Sequence, residues 1–180
     1  MRERTNVKKV CSFYVSNIHF ATMILPWTHK KIEDEIKIIT FFENNLTTNI
    51  ELVLSNLLIA EDRKKELMNI NWKNTIVDKY LNIEKTIKNA LVKSEKIIII
   101  INGKEDYINI ANEYIEKYIE KNNKKIEQKE IKIINFYEVG SFNENINEIL
   151  DNHELVFNTS GEHRIEDVFE GYERKEKINV

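Results

Sequence analysis

Lys96-Ile97-Ile98-Ile99-Ile100-Ile101 is the stretch on which the fold turns. Five consecutive isoleucines are β-branched, so they favour an extended strand over a helix. The run carries no polar alternation, which means that both of its faces want cover. That is the habit of a central parallel strand flanked by helices. It is far too short to cross a bilayer, which takes ~18 apolar residues. Asn102 and Gly103 end it, and Lys104 begins a short turn into the next helix.

Outward from this run, four more segments read as strands: Val10–Val15, Ile36–Phe42, Ile131–Tyr137 and Leu155–Phe157. Helical patterns lie between them. Tyr107, Ile110, Ala111, Tyr114, Ile115 and Tyr118 repeat at three- and four-residue spacing and predict one apolar stripe. Leu46 to Leu57 and Ile76 to Leu91 do the same, and a shorter pattern carries Phe142, Ile146, Ile149 and Leu150. Ser141 with Glu144 forms a capping box at the start of that last helix, and Asn102 with Glu105 a weaker one. Pro26 is the sole proline, and a helix through Ile18–Trp27 is expected to kink or divide there. Strands alternating with helices predict an α/β fold: a mostly parallel, doubly wound, five-stranded sheet with helices on both faces. The extra helices between the second and third strands read as an insertion or a long crossover within one domain spanning residues 1–180. The charged tail from Glu170 onward is expected to fray.

The totals agree with this picture. The 180 residues hold 4 glycines and 1 proline, too few for a barrel or sandwich of many tight turns. A net charge of −3 with dispersed lysines argues against direct nucleic-acid binding, where a basic face supplies most of the affinity. The Lys121, Lys124, Lys125 and Lys129 group sits where a helix ends, and cations are welcome there. One cysteine, Cys11, permits no intrachain disulfide, and no apolar signal core follows the basic N-terminus. The expectation is a cytoplasmic protein that makes no use of the membrane.

In open α/β sheets, ligands collect beyond the carboxyl ends of the strands. Those exits are polar here. The candidates are Tyr14, Ser16 and His19 after the first strand, Glu43 after the second, Tyr137 and Glu138 after the fourth, and Asn158 after the fifth. The same residue types also serve as turns and helix caps, so a shared pocket and ordinary loop chemistry both fit. Phe13, Tyr14, Phe20 and Trp27 fit either the core or an apolar ligand cavity. No glycine-rich phosphate loop, nucleophile elbow or metal-ligand cluster is present, so no cofactor, metal or catalytic group is assigned. His29 and Glu33 stand one helical turn apart, but a pair alone makes no metal site. Cys11 reads as a buried small hydrophobe, and His153 as a charged imidazole at a helix C-terminus.

Two regions resemble a known family. Val10-Cys11-Ser12-Phe13-Tyr14, then Met23-Ile24-Leu25-Pro26-Trp27 and Ile36-Lys37-Ile38-Ile39, form one. Ile133-Ile134-Asn135-Phe136-Tyr137-Glu138, then Ile149-Leu150 and His153, form the other. Together they resemble the MEDS family, sensory domains of methanogens, methylotrophs and other prokaryotes typified by the DcmR regulator. Where that family carries an acidic-histidine pair before the first strand, this chain has Lys8-Lys9. The resemblance implies a RecA- or KaiC-like sheet without a phosphate loop, a small organic ligand, and Tyr14, Tyr137 and His153 as site residues. Relatives commonly carry a DNA-binding or kinase module, for which this chain has no room. The expected function is therefore a stand-alone, non-enzymatic sensor or regulator that signals through a protein partner or a homodimer, with the helices between Leu46 and Leu91 as the moving part. A pure protein-interaction module and an enzyme using Glu43 or Glu138 as a base are the alternatives.

Overall fold

A computed structural model describes residues 6–34, 36–140 and 146–174. Strands β1 (Val7–Tyr14), β2 (Lys37–Phe42), β3 (Lys96–Gly103), β4 (Glu130–Glu138), β5 (Leu155–Asn158) and β6 (Gly161–Arg164) form one sheet. Their order is β2-β3-β4-β1-β5-β6, and every pair is parallel except β5 with β6. The helices are α1 (Asn17–Glu33), α2 (Thr47–Asn56), α3 (Glu61–Met68), α4 (Tyr80–Lys93), α5 (Glu105–Lys121), α6 (Asn123–Ile126), α7 (Ile146–Asp151) and α8 (Ile165–Val168).

The isoleucine run does what its lack of alternation predicts. Ile97, Ile99 and Ile101 pack with α4, α5 and α7 on one face, whereas Ile98 and Ile100 pack with α1, α2 and α3 on the other. All five are at most 3 % exposed. Burying each isoleucine side chain is worth roughly 1.5–3 kcal/mol, so β3 anchors both halves of the core. The second face is aromatic. Phe20 of α1 meets Tyr14, Phe42 and Phe136 with ring centroids 5.7, 5.8 and 4.8 Å apart, and Phe42 stacks on Trp72. Tyr14 and Phe20 are thus core residues; Phe13 and Trp27 are half-buried at its margins.

Several expectations need correction. The sheet has six strands, because Gly161–Arg164 turns back along β5 as a short antiparallel edge; Gly161 takes φ +116° in that turn, where a side chain would be strained. Pro26 does not divide α1, which runs unbroken from Asn17 to Glu33. It lies on the exposed side of the helix, as does Thr22, whose carbonyl loses its usual partner. Asn102 does not cap α5, whose N-cap is Lys104 without a side-chain bond; the Asn102 amide is buried and accepts from Tyr14 instead. On α5 the buried stripe is Ile108, Ala111, Ile115, Tyr118 and Ile119, while Ile110 is 42 % exposed. The Ser141–Glu144 capping box and Phe142 lie outside the described residues. So does the tail beyond Arg174, but its first part is docked. Tyr172 donates a 2.7 Å hydrogen bond to Asp151, and Arg174 reaches Glu166 at 3.3 Å.

The insertion between β2 and β3 is divided by the sheet. Helices α2 and α3 stay on the aromatic face and α4 covers the other, so the chain from Asn69 to Lys79 wraps the β2 edge. Trp72 holds this wrap in place: its indole donates to Leu67 O at 2.8 Å, and Leu46 N donates to Trp72 O at 2.9 Å.

Candidate functional site

Ligand crevices in open sheets form where neighbouring strands send their connections to opposite faces. Two neighbouring pairs do so here, β2 with β3 and β1 with β4, and most of the predicted site residues fall at the second. The chain leaves β1 into α1 on the aromatic face and leaves β4 toward α7 on the other. Tyr14 pairs with Glu138 at the end of this ladder, and Val139 N donates to Tyr14 O at 2.8 Å just beyond it.

Of the predicted site residues, Tyr14, Ser16, His19, Tyr137 and Glu138 gather at this switch point. Successive residues of a strand face opposite ways. Tyr14 points into the aromatic face, and its hydroxyl donates to Asn102 Oδ1 at 3.4 Å. Burial raises its pKa first, and the negative charges of Glu138 and Glu43 add to that rise. Tyr137 points to the opposite face, and burial raises it likewise. Ser16 and His19 close the two-residue turn into α1. Ser16 Oγ accepts the His19 N–H at 3.1 Å, and His19 Nδ1 accepts the Val15 N–H at 3.2 Å. This is helix capping, and it ties up amides that a longer loop would present to an anion.

Glu43, Asn158 and His153 lie elsewhere. Glu43 leaves β2 and accepts the Lys104 N–H at 2.7 Å, capping α5 from outside its own chain segment. The approach is tight, because a β-carbon on Gly103 would stand 2.8 Å from both Cβ and Oε2 of Glu43. Gly103→Ala should therefore lower stability by about 1–2 kcal/mol. Glu43→Ala should cost about 1 kcal/mol through the lost cap. Because the two residues touch, the double variant should cost clearly less than the sum of the singles. Strict additivity in urea titrations would contradict this contact. Asn158 Oδ1 accepts from Ser160 N and Oγ at 2.9 and 2.7 Å, so its side chain is spent on the β5–β6 turn.

His153 is not a charged cap. It is 3 % exposed, and burial pushes its pKa down to about 4. The ring is neutral: Nδ1 donates to Ile149 O at 2.6 Å, closing the end of α7, and Nε2 accepts from Asn135 Nδ2 at 2.8 Å. Its edge meets the Tyr137 ring at 6.0 Å. Asn135 and Asn102 are the residues that the candidate set lacked. They are 1 % and 0 % exposed, and Asn135 Oδ1 and Asn102 Nδ2 have no hydrogen-bond partner. The signal was present, since Asn135 interrupts the apolar run Ile133-Ile134-Asn135-Phe136. Asn135, Tyr137 and His153 form the floor of a groove of about 280 Å³ between α5 and α7. Cys11 lies under the same face, 0 % exposed, its thiol pushed up to about 12 by burial.

Among the described residues no three His, Cys, Asp or Glu side chains converge as a metal site, and His29 Nε2 stands 3.9 Å from Glu33 Oε1. No described helix is long and apolar enough to cross a membrane. Fold and site together define a doubly wound α/β domain with polar residues gathered at the β1/β4 switch point. No protein family matches the chain, nor does any curated protein or solved structure.

Proposed function

We propose that this chain is a non-catalytic sensory or regulatory domain that binds a small organic molecule at the β1/β4 crevice. Its output passes through a protein partner or a second copy. The observation that carries this reading is the pair of buried, unpartnered amide atoms, Asn102 Nδ2 and Asn135 Oδ1. They come from the carboxyl-terminal halves of the adjacent strands β3 and β4, Asn102 on the aromatic face of the sheet and Asn135 on the other. An unsatisfied buried polar group costs about 1–3 kcal/mol, and native proteins keep few of them. A ligand group that pairs with either one recovers its share of that loss.

The remaining groups favour binding over chemistry. The Tyr14 and Tyr137 phenols are held protonated by burial, the His153 nitrogens are both engaged, and the Cys11 thiol is suppressed. Glu43 is committed to the α5 cap. The MEDS resemblance of the two regions adds the sensory sense and the RecA-like description, and the use of one buried cysteine fits a cytoplasmic protein. The path outward runs through α5. Tyr107, in its first turn, donates to Thr75 O at 2.7 Å and so links α5 to the segment that wraps β2.

A thermal-shift screen against small organic metabolites and nucleotides tests this reading, with Trp72 fluorescence reporting on the wrapping segment. Binding at a hundredfold excess over Kd should stabilise the fold by roughly 2.7 kcal/mol. Tyr14→Phe or Tyr137→Phe should weaken that effect. Silence across the library, or hits indifferent to both variants, would sink the ligand reading in favour of a pure protein-interaction module, for which a pull-down is the next step.

A further inference from the structure

The groove between α5 and α7 is specific about charge and hydrogen-bond polarity. Its floor and wall carry two asparagine side chains whose oxygens are buried and unpartnered, Asn135 Oδ1 from β4 and Asn112 Oδ1 from α5. In each case the nitrogen of the same amide is already used. Asn112 Nδ2 donates to Ile108 O at 3.0 Å, and Asn135 Nδ2 donates to His153. That leaves each amide with a buried oxygen that has no partner, beside the groove its residue lines. Glu113, Glu116 and Glu148 line the same groove with one lysine, Lys9, whose Nζ is paired with Glu116. His153, neutral through burial, adds no positive charge.

From these groups we infer that the groove takes a small organic cation bearing N–H donors, a primary ammonium or a guanidinium, with Asn135 Oδ1 and Asn112 Oδ1 accepting its protons. This deepens the ligand-binding reading above and rests on it. Charged donors make hydrogen bonds about twice as strong as neutral ones, and the acidic walls supply the counter-charge. Anions and phosphates meet acceptors and carboxylates instead, which repel them. The volume of about 280 Å³ lies at the small end of ligand pockets, so the occupant is a compact molecule rather than a peptide or nucleotide. It is also too large for one water, whose share of liquid volume is about 30 Å³. The Tyr137 ring and Ile149 offer the apolar wall against which a short carbon chain lies.

The probes are four compounds with the same butyl chain, titrated by calorimetry and thermal shift at fixed ionic strength. They are n-butylammonium, n-butyltrimethylammonium, 1-butanol and butyrate. Butylammonium should bind at least about tenfold more tightly than the quaternary cation, which carries equal charge and no N–H; butanol and butyrate should be weaker still. Asn135→Leu should weaken butylammonium at least tenfold. That change also strips His153 of a partner, so Asn112→Leu, on a half-buried helix face, serves as the second variant and should weaken it by a similar order. Equal binding of the two cations overturns the N–H assignment, and so does full affinity in the Asn112→Leu protein. Binding of butanol or butyrate without butylammonium overturns the cation and leaves the ligand-binding reading intact. Silence from all four overturns the inference, and the wider screen then decides the broader reading by itself.

Discussion

Phe20→Ala is expected to lower the free energy of unfolding by about 4 kcal/mol, the largest loss of any single truncation near the crevice. Phe20 is 0 % exposed and stands at the centre of the aromatic face, in edge contact with Phe136 and Phe42 and tilted against Tyr14. Its removal takes away the transfer free energy of a whole ring. It also leaves a hole that three rings, each held by its own strand, cannot collapse into. Typical domains are stable by roughly 5–15 kcal/mol, so a large part of the total is at stake. A chain of this size should then melt roughly 8–16 °C lower. The consequence for function follows from position. Tyr14 rests on Phe20 and carries the hydrogen bond to Asn102, so loss of the ring should loosen the crevice even at temperatures where the fold survives. Phe20→Leu, which keeps most of the volume, should retain well over half of the lost stability. Urea titrations check both, with the slope unchanged if only the native packing is affected. A loss below about 1 kcal/mol for the alanine variant would mean that the aromatic face is not the packed core described here.

The isoleucine run shows why the fold was legible and the site was not. Five residues with no polar partner among them admit one arrangement, a strand covered on both faces, and the alternation of Ile97 through Ile101 between two cores follows from the pleat. Local pattern settles local geometry in the same way for α2 and α4. Pro26 does not end α1, because on the exposed side of a helix a missing N–H costs little, and sequence does not say which side is wet. The β6 edge escaped notice because Gly-Glu-His-Arg has no apolar alternation; an edge strand with one neighbour can be wholly polar, and charge there discourages further pairing. The site depends on what strand order brings together. Tyr14 and Asn102 are 88 residues apart in sequence, and Asn135 reads as a blemish in an apolar strand until His153 is placed beside it. Polar exits were visible one by one. Which exits share the β1/β4 switch, and which are spent on turns, as Asn158 is, follows only from the order β2-β3-β4-β1-β5-β6.

His153 should make the protein acid-labile in a defined window. Its pKa is about 4 in the folded chain, pushed down first by burial, opposed by its bond to Ile149 O, and lowered further by Lys9. In the unfolded chain it returns to about 6.5. Above that value both states are neutral at this residue, and it adds no pH dependence. Between 6.5 and 4 the unfolded chain takes up a proton that the folded chain refuses, so stability falls by about 1.4 kcal/mol per pH unit. Below about 4 both states hold the proton and the loss levels off, near 3 kcal/mol in total. Carboxylates titrate in the lower part of the same range, so the comparison must be with His153→Gln, which does not titrate. Gln can still donate toward Ile149 O and accept from Asn135. That variant should be less stable than the parent at pH 7.5, by about 1–2 kcal/mol, since its reach and packing are poorer. Its stability should then fall less steeply on acidification, so that the two curves approach or cross near pH 5. The groups around the ring make the sign robust: Lys9 disfavours a second positive charge, Tyr137 presents a ring, and Asn135 presents a donor that an imidazolium Nε2–H would oppose. Parallel curves for parent and variant between pH 4 and 6.5 would show that His153 is already protonated in the folded state. The Asn135 amide would then turn its oxygen toward the ring, and the hydrogen-bond polarity of the groove floor would be reversed.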